Sequence, residues 1–207
     1  MTKALRWRVL VLQAGLVLIL GFVAGFAFWA AGFTHNSVTT QLAAQNITFP
    51  AANSAEITAL PAVDAAAMRQ YAGDVMTTGP QAEIWADNFI KVHLSKMPSY
   101  DAASAISMAN PTSTADATTV ATVFKGTTLR GMLLNAYGWW TVGTYSLYAA
   151  IGLTIAAGAV LLTFVFELWR WAVEVRVTRP ATVPAPAFSA AGSVPAVGIA
   201  QMTKHDS

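Results

Sequence analysis

Residues 9–33 read "VLVLQAGLVLILGFVAGFAFWAAGF", apolar throughout except for Gln13. A helix needs about 20 apolar residues to cross the hydrocarbon core of a bilayer, so this run is long enough to span. Lys3, Arg6 and Arg8 before it would also suit the basic end of a secretory signal peptide, with small residues at Gly25 and Ala27 or Ala30 and Gly32 as cleavage sites. The apolar part of a signal peptide is only about 7–15 residues long, so an uncleaved anchor is expected. A second run, residues 146–166, carries no charge. Tyr145 and Tyr148 flank one end and Trp169 and Trp171 the other, in the manner of the aromatic belts at the two membrane interfaces. Two transmembrane helices are expected, over 9–33 and 139–169. Composition agrees: only 11% of residues are charged, against roughly 25% in soluble domains.

Lysine and arginine placement sets the expected direction. Lys3, Arg6 and Arg8 precede the first span, and Arg170, Arg176 and Arg179 follow the second. Between the spans the cations are Arg69, Lys91, Lys96, Lys125 and Arg130, none close after the first span. The positive-inside rule then puts a basic N-terminus (1–8) and the tail (170–207) in the cytoplasm and residues 34–138 outside. The tail is rich in proline and small residues and is expected to be disordered. A net charge of +2 without a basic run argues against a nucleic-acid partner. The absence of cysteine excludes disulfides, thiolate metal sites and cysteine nucleophiles. No ionisable residue lies in mid-span, which argues against a proton relay or ion pathway.

Each span carries a row of small residues on a helical wheel: Ala14, Gly21, Gly25 and Gly32 on the first, and Tyr145, Ala149, Gly152, Ala156 and Thr163 on the second. Such rows let backbones approach closely in lipid, where burial of apolar surface gives helices no reason to associate. They either pack the two spans on each other, the simpler expectation, or dock the helices of a partner.

The segment between the spans reads as short helices, giving an all-α membrane protein with a small helical extracytoplasmic domain between two transmembrane helices. The first helix is expected to end at Pro50. A short helix follows around "VDAAAMRQYA", and Gly79-Pro80 opens another over 80–97. On that helix, "QAEIWADNFIKVHL" divides into an apolar face (Ala82, Trp85, Ala86, Phe89, Ile90, Val92) and a solvated one (Gln81, Asp87, Asn88, Lys91), with Asp87 and Lys91 at i,i+4. His93 projects beside Phe89 and is the one polar residue that this pattern leaves unexplained. Ser99 and Asn110-Pro111 bracket a further helix, and Ser113 is placed to cap the next. Gly126 is expected to break the chain before a final helix capped by Thr127 or Thr128. That helix would overrun the bilayer, and so project from it or kink at Gly138 or Gly143.

Three histidines are present, His35, His93 and His205. His205 falls on the opposite side of the membrane from the other two, and no metal-ligand spacing joins His35 or His93 to Glu83 or Asp87. No nucleophile elbow, phosphate-binding loop or dinucleotide fingerprint occurs. No catalytic, cofactor-binding or metal-binding residue is therefore assigned, and no cofactor is expected; His93 stays the candidate functional histidine.

The order of features, with "QLAAQNITF", "QAEIWADNFIKVHL" and "FKGTTLRGMLLNAYG" as its most specific parts, resembles a family of two-span actinobacterial membrane proteins. The resemblance covers roughly residues 9–162. The family's Gly-Lys-Thr-Tyr-like turn is replaced here by "KMPSYDAAS". Members have been labelled aromatic ring-opening dioxygenases. That label implies iron held by histidine and carboxylate, and this sequence offers no such ligand set, so the resemblance carries over architecture and origin and no catalytic residues.

Three functional classes follow, in order. The first is a non-catalytic accessory or assembly subunit of a larger cell-envelope membrane complex, with the lipid bilayer and other membrane subunits as partners. The second is a binding protein holding a lipid or small apolar ligand against Trp85, Phe89, Trp139 and Trp140. The third is an envelope enzyme using His93 with Asp87 or Glu83.

Overall fold

The computed structural model describes residues 3–177. The chain divides into a unit ending at Glu167 and another beginning at Leu168. The described residues form seven α-helices and one π-helical segment: α1 (Lys3–Ala44), α2 (Ala55–Thr58), α3 (Ala62–Arg69), α4 (Gly79–Ile84), the π segment (Trp85–Ile90), α5 (Lys91–Leu94), α6 (Tyr100–Ala109) and α7 (Thr114–Val177). No strand occurs among them; a single antiparallel bridge joins Thr48 to Val75.

Helices α1 and α7 are long and apolar enough to cross a membrane, and only 11% and 6% of their most apolar windows are buried. A core helix of a soluble protein would be mostly covered; these two turn apolar side chains such as Leu12, Phe22, Ile155 and Leu162 outward. Both outrun the expected spans. At 42 residues, α1 measures about 63 Å, twice the ~30 Å hydrocarbon thickness. It ends at Ala44 and not at Pro50, because Asn46 adopts φ 51, a left-handed conformation that asparagine tolerates and that stops a helix. The chain then runs extended: Met76 N–H donates to Ile47 O at 2.8 Å and Phe49 N–H to Asp74 O at 2.9 Å. Gly73, at φ 83, turns the chain back and donates to Phe49 O at 3.1 Å.

A core fills the space between α1 and α7 beyond their apolar stretches. Val38 and Leu42 of α1 meet Phe49, Ile57, Met68, Met76, Ala82, Ala86 and Leu133 of α7. Phe49 is the aromatic hub, edge-on to Trp85 at 5.0 Å and tilted against Tyr71 at 5.4 Å. The expected helix over 80–97 exists but begins with a capping box. Thr78 caps α4, and Gln81 Oε1 accepts from Thr77 N at 2.7 Å and Thr78 N at 3.0 Å. Gln81 is therefore buried, contrary to its expected solvated position. Ser99 and Ser113 accept from Ala102 N and Asp116 N as expected of helix caps, and α6 closes before Asn110.

Gly126 does not break the chain. It lies within α7, where a Cβ would stand 2.8 Å from Leu94 Cδ2, so its role is close approach to α5. Nor does the helix break at Gly138 or Gly143. In the second unit, residues 168–177 are helical, with Arg170 and Glu174 paired at 3.8 Å. The expected tail over 170–207 is thus helical at 170–177, and residues 178–207 lie outside the described residues.

Candidate functional site

Leu10, Ala24, Ala31 and Val38 are the buried residues of α1's long row, spaced by sevens, with half-buried Val17 completing it. A seven-residue apolar repeat is the seam of a left-handed helix pair. His35 shows what the end of this row at Ala31 and Val38 faces. Its ring stacks on Trp140 of α7 with centroids 4.2 Å apart. Nε2 lies 3.1 Å from Trp140 O and 3.2 Å from Thr144 Oγ1. A carbonyl can only accept, so Nε2 carries the proton and donates. The approach is possible because residue 143 is glycine: a Cβ there would come within 2.7 Å of both His35 Cδ2 and Thr34 Oγ1. Trp140 is also met by α4, where a Cβ on Gly79 would collide with Trp140 Cβ. Three elements are thereby locked at one indole.

The small-residue rows lie elsewhere. Gly21, Gly25 and Gly32 are exposed, and a Cβ added to any of them meets nothing within 4 Å. On α7, Tyr145, Ala149, Gly152, Ala156 and Thr163 are exposed, while Gly143 and Ala150 are buried. Gly25 and Gly32 follow Ala24 and Ala31 directly, so they point about 100° away from the seam. Only Ala14, half-buried, borders it. The expectation that these rows pack the two helices on each other is not met; the seam uses the neighbouring row on each.

His93 is exposed, with Nδ1 2.8 Å from Phe89 O on its own helix and its ring tilted against Phe89 at 4.5 Å. It is a local back-bond. Asp87 pairs with Arg130 Nη2 of α7 at 2.6 Å and not with Lys91 as its spacing implied. Asn88 donates to Asp64 Oδ1 of α3 at 2.8 Å. The π segment thus sends two consecutive polar side chains to two different helices, and neither reaches His93. Among the described residues no three histidine, aspartate or glutamate side chains are grouped to hold a metal ion. The iron that the dioxygenase label implies does not fit these residues: His35 is spent on the α1–α7 seam and His93 on its own helix.

Beside the His35 lock, α1 and α7 border a cleft of about 470 Å³. Its walls include Phe33, Val38 and Leu42 of α1 and Met132, Leu133 and Trp139 of α7, with Gln41, Gln45 and Asn135 supplying amides. Of the aromatic residues expected to hold a ligand, only Trp139 lines it. Trp85 and Phe89 belong to the core, and Trp140 to the lock.

No family model, curated protein or solved structure matches this chain. The reading of its function rests on its own residues.

Sequence reasoning missed His35, Gly143 and Arg130. His35 could have been found: it stands four residues after Ala31 and three before Val38, on the same helical face, just past the apolar stretch. Arg130's partner could not, since Asp87 lies 43 positions away along the chain.

Proposed function

We propose that this chain is a two-span membrane protein that serves as a non-catalytic accessory or assembly subunit of a larger cell-envelope membrane complex. Its termini lie in the cytoplasm, following the arginines and lysines at the outer ends of the two apolar helices, and the segment between them lies outside.

One observation carries the reading. Gly21, Gly25 and Gly32 on α1 and Ala149, Gly152 and Ala156 on α7 are exposed, outside the seam that joins these two helices, with open space at the glycines. In lipid, close backbone approach along small residues is a principal source of helix association, and these rows are left available for helices of another subunit. The electrostatic and hydrogen-bonded side chains of the intervening segment support the same reading: Asp87, Arg130, Asn88 and Asp64 tie helices together.

Mild-detergent purification of the tagged full chain from its native membrane, followed by mass spectrometry, tests it. Stoichiometric membrane-protein subunits are expected with the wild type and lost with Gly21→Leu/Gly25→Leu, a change for which the fold has room. A lone, monodisperse wild-type protein would sink the accessory role.

A further inference from the structure

The cleft between α1 and α7 has a position and a chemistry that together select a ligand. Its α1 wall, residues 33–47, begins where the apolar run 9–33 ends, and its α7 wall, residues 129–139, stops just before the second apolar run. One mouth is thus level with the end of the apolar stretches and framed by Phe33 and Trp139, 60% and 54% exposed. Aromatic residues at that level mark a membrane interface. Farther along, the amides of Gln41, Gln45 and Asn135 stand among apolar Ile47, Leu129, Met132 and Leu133, with the hydroxyls of Thr34 and Ser37 nearer the mouth. The cleft therefore joins an aromatic mouth at the level of the bilayer to uncharged polar groups set along an otherwise apolar length.

Charge narrows the ligand further. No ionisable side chain lines the cleft. Arg130, the nearest cation in sequence, is turned to Asp87. A phosphate entering such a cleft would give up water without a cation or charge-assisted donor in return, which is costly. Amides instead both donate to and accept from hydroxyls and ester carbonyls. Gln41 Nε2 donates to Ser37 Oγ at 3.0 Å, so its carbonyl stays oriented, and among the described residues the amides of Gln45 and Asn135 make no side-chain hydrogen bond of their own. A volume of about 470 Å³ falls inside the roughly 300–1,000 Å³ common to small-molecule sites.

We propose that this cleft holds the headgroup and upper acyl region of an uncharged, hydroxyl-rich membrane lipid, such as a glycosyl diacylglycerol, drawn from the adjoining leaflet. Its acyl chains pass Phe33 and Trp139 toward the leaflet, and its hydroxyls meet Gln41, Gln45 and Asn135. The inference rests on the membrane placement proposed above but not on the accessory role.

The test reconstitutes the full chain into phosphatidylcholine nanodiscs doped with monogalactosyl diacylglycerol or with phosphatidylglycerol, and counts retained lipids by native mass spectrometry. One galactolipid per chain is expected, retained at least tenfold over phosphatidylglycerol. Met132→Trp, which fills the cleft from an exposed position, should abolish retention, and Asn135→Leu should erase the preference. Unfolding temperatures of both variants close to wild type separate loss of the site from loss of the fold. Equal retention of the two lipids, or retention undiminished by Met132→Trp in a folded protein, would overturn the proposal. A chain that fails to enter the discs at all would overturn the membrane placement, and this inference with it.

Discussion

Gly138 and Gly143 lie less than two turns apart on α7, and their surroundings give them opposite sensitivities. A Cβ at Gly143 would collide with His35 Cδ2 and Thr34 Oγ1 at 2.7 Å, whereas one at Gly138 meets nothing within 4 Å. Gly143→Ala should therefore push α1 and α7 apart and cost about 1–3 kcal/mol through overpacking. Gly138→Ala should be neutral or stabilise by roughly 0.5–1 kcal/mol, because alanine gives up less backbone entropy in a helix. Thermal unfolding of the purified protein in detergent measures both, and equal effects would remove the His35 lock from the account. His35 and His93 show why residue identity alone misleads. His93 stands out in the sequence because it is a polar residue projecting beside Phe89 near the apolar face, but a helix places residues four apart in contact with each other's backbone, and its ring simply meets Phe89 O. His35 sits among threonine, asparagine and serine, and only its helical spacing from Ala31 and Val38 marks it. Its partner is 105 residues away.

At the scale of elements, much was legible. Apolar runs of the length of 9–33 and 146–166 have few options, and the all-helical pattern follows from capping residues such as Ser99 and Ser113 and from proline placement. Less legible was where helices stop. Gly126 and Pro50 were the expected breaks, yet glycine in a helix costs only about 1 kcal/mol, which contact with Leu94 offsets, and Asn46 ends α1 before Pro50 is reached. The choice of packing row was also ambiguous, since small residues occur on both rows of each helix. What separates them is persistence: the row of Leu10, Val17, Ala24, Ala31 and Val38 continues past the apolar stretch into the core, while the glycine row stops at Gly32. Two neighbouring substitutions distinguish the rows. Ala24→Leu enlarges a residue that is 4% exposed and should destabilise by about 1–3 kcal/mol. Gly25→Leu, on the open row, should leave the unfolding midpoint unchanged or raise it slightly. The reverse order would mean that the glycine row is the seam.

For the whole molecule, the proposed topology has a direct check because the chain has no cysteine. Single cysteines at exposed Ala66 in α3 and at Thr2 should react differently with a membrane-impermeant maleimide applied to intact cells: Ala66→Cys labels, and Thr2→Cys labels only after the membrane is opened. Labelling of both, or of Thr2→Cys alone, would reverse or dissolve the proposed orientation. The central claim is that the outward small-residue rows receive another subunit's helices. It is tested most directly by placing a photoreactive benzophenone side chain at Gly25, and separately at Ala149, in the native membrane. Irradiation is predicted to give discrete adducts with another membrane protein from both positions, and none from a control position at Leu12, an exposed residue on a different face of α1. Adducts with lipid alone at Gly25 and Ala149 would contradict the account.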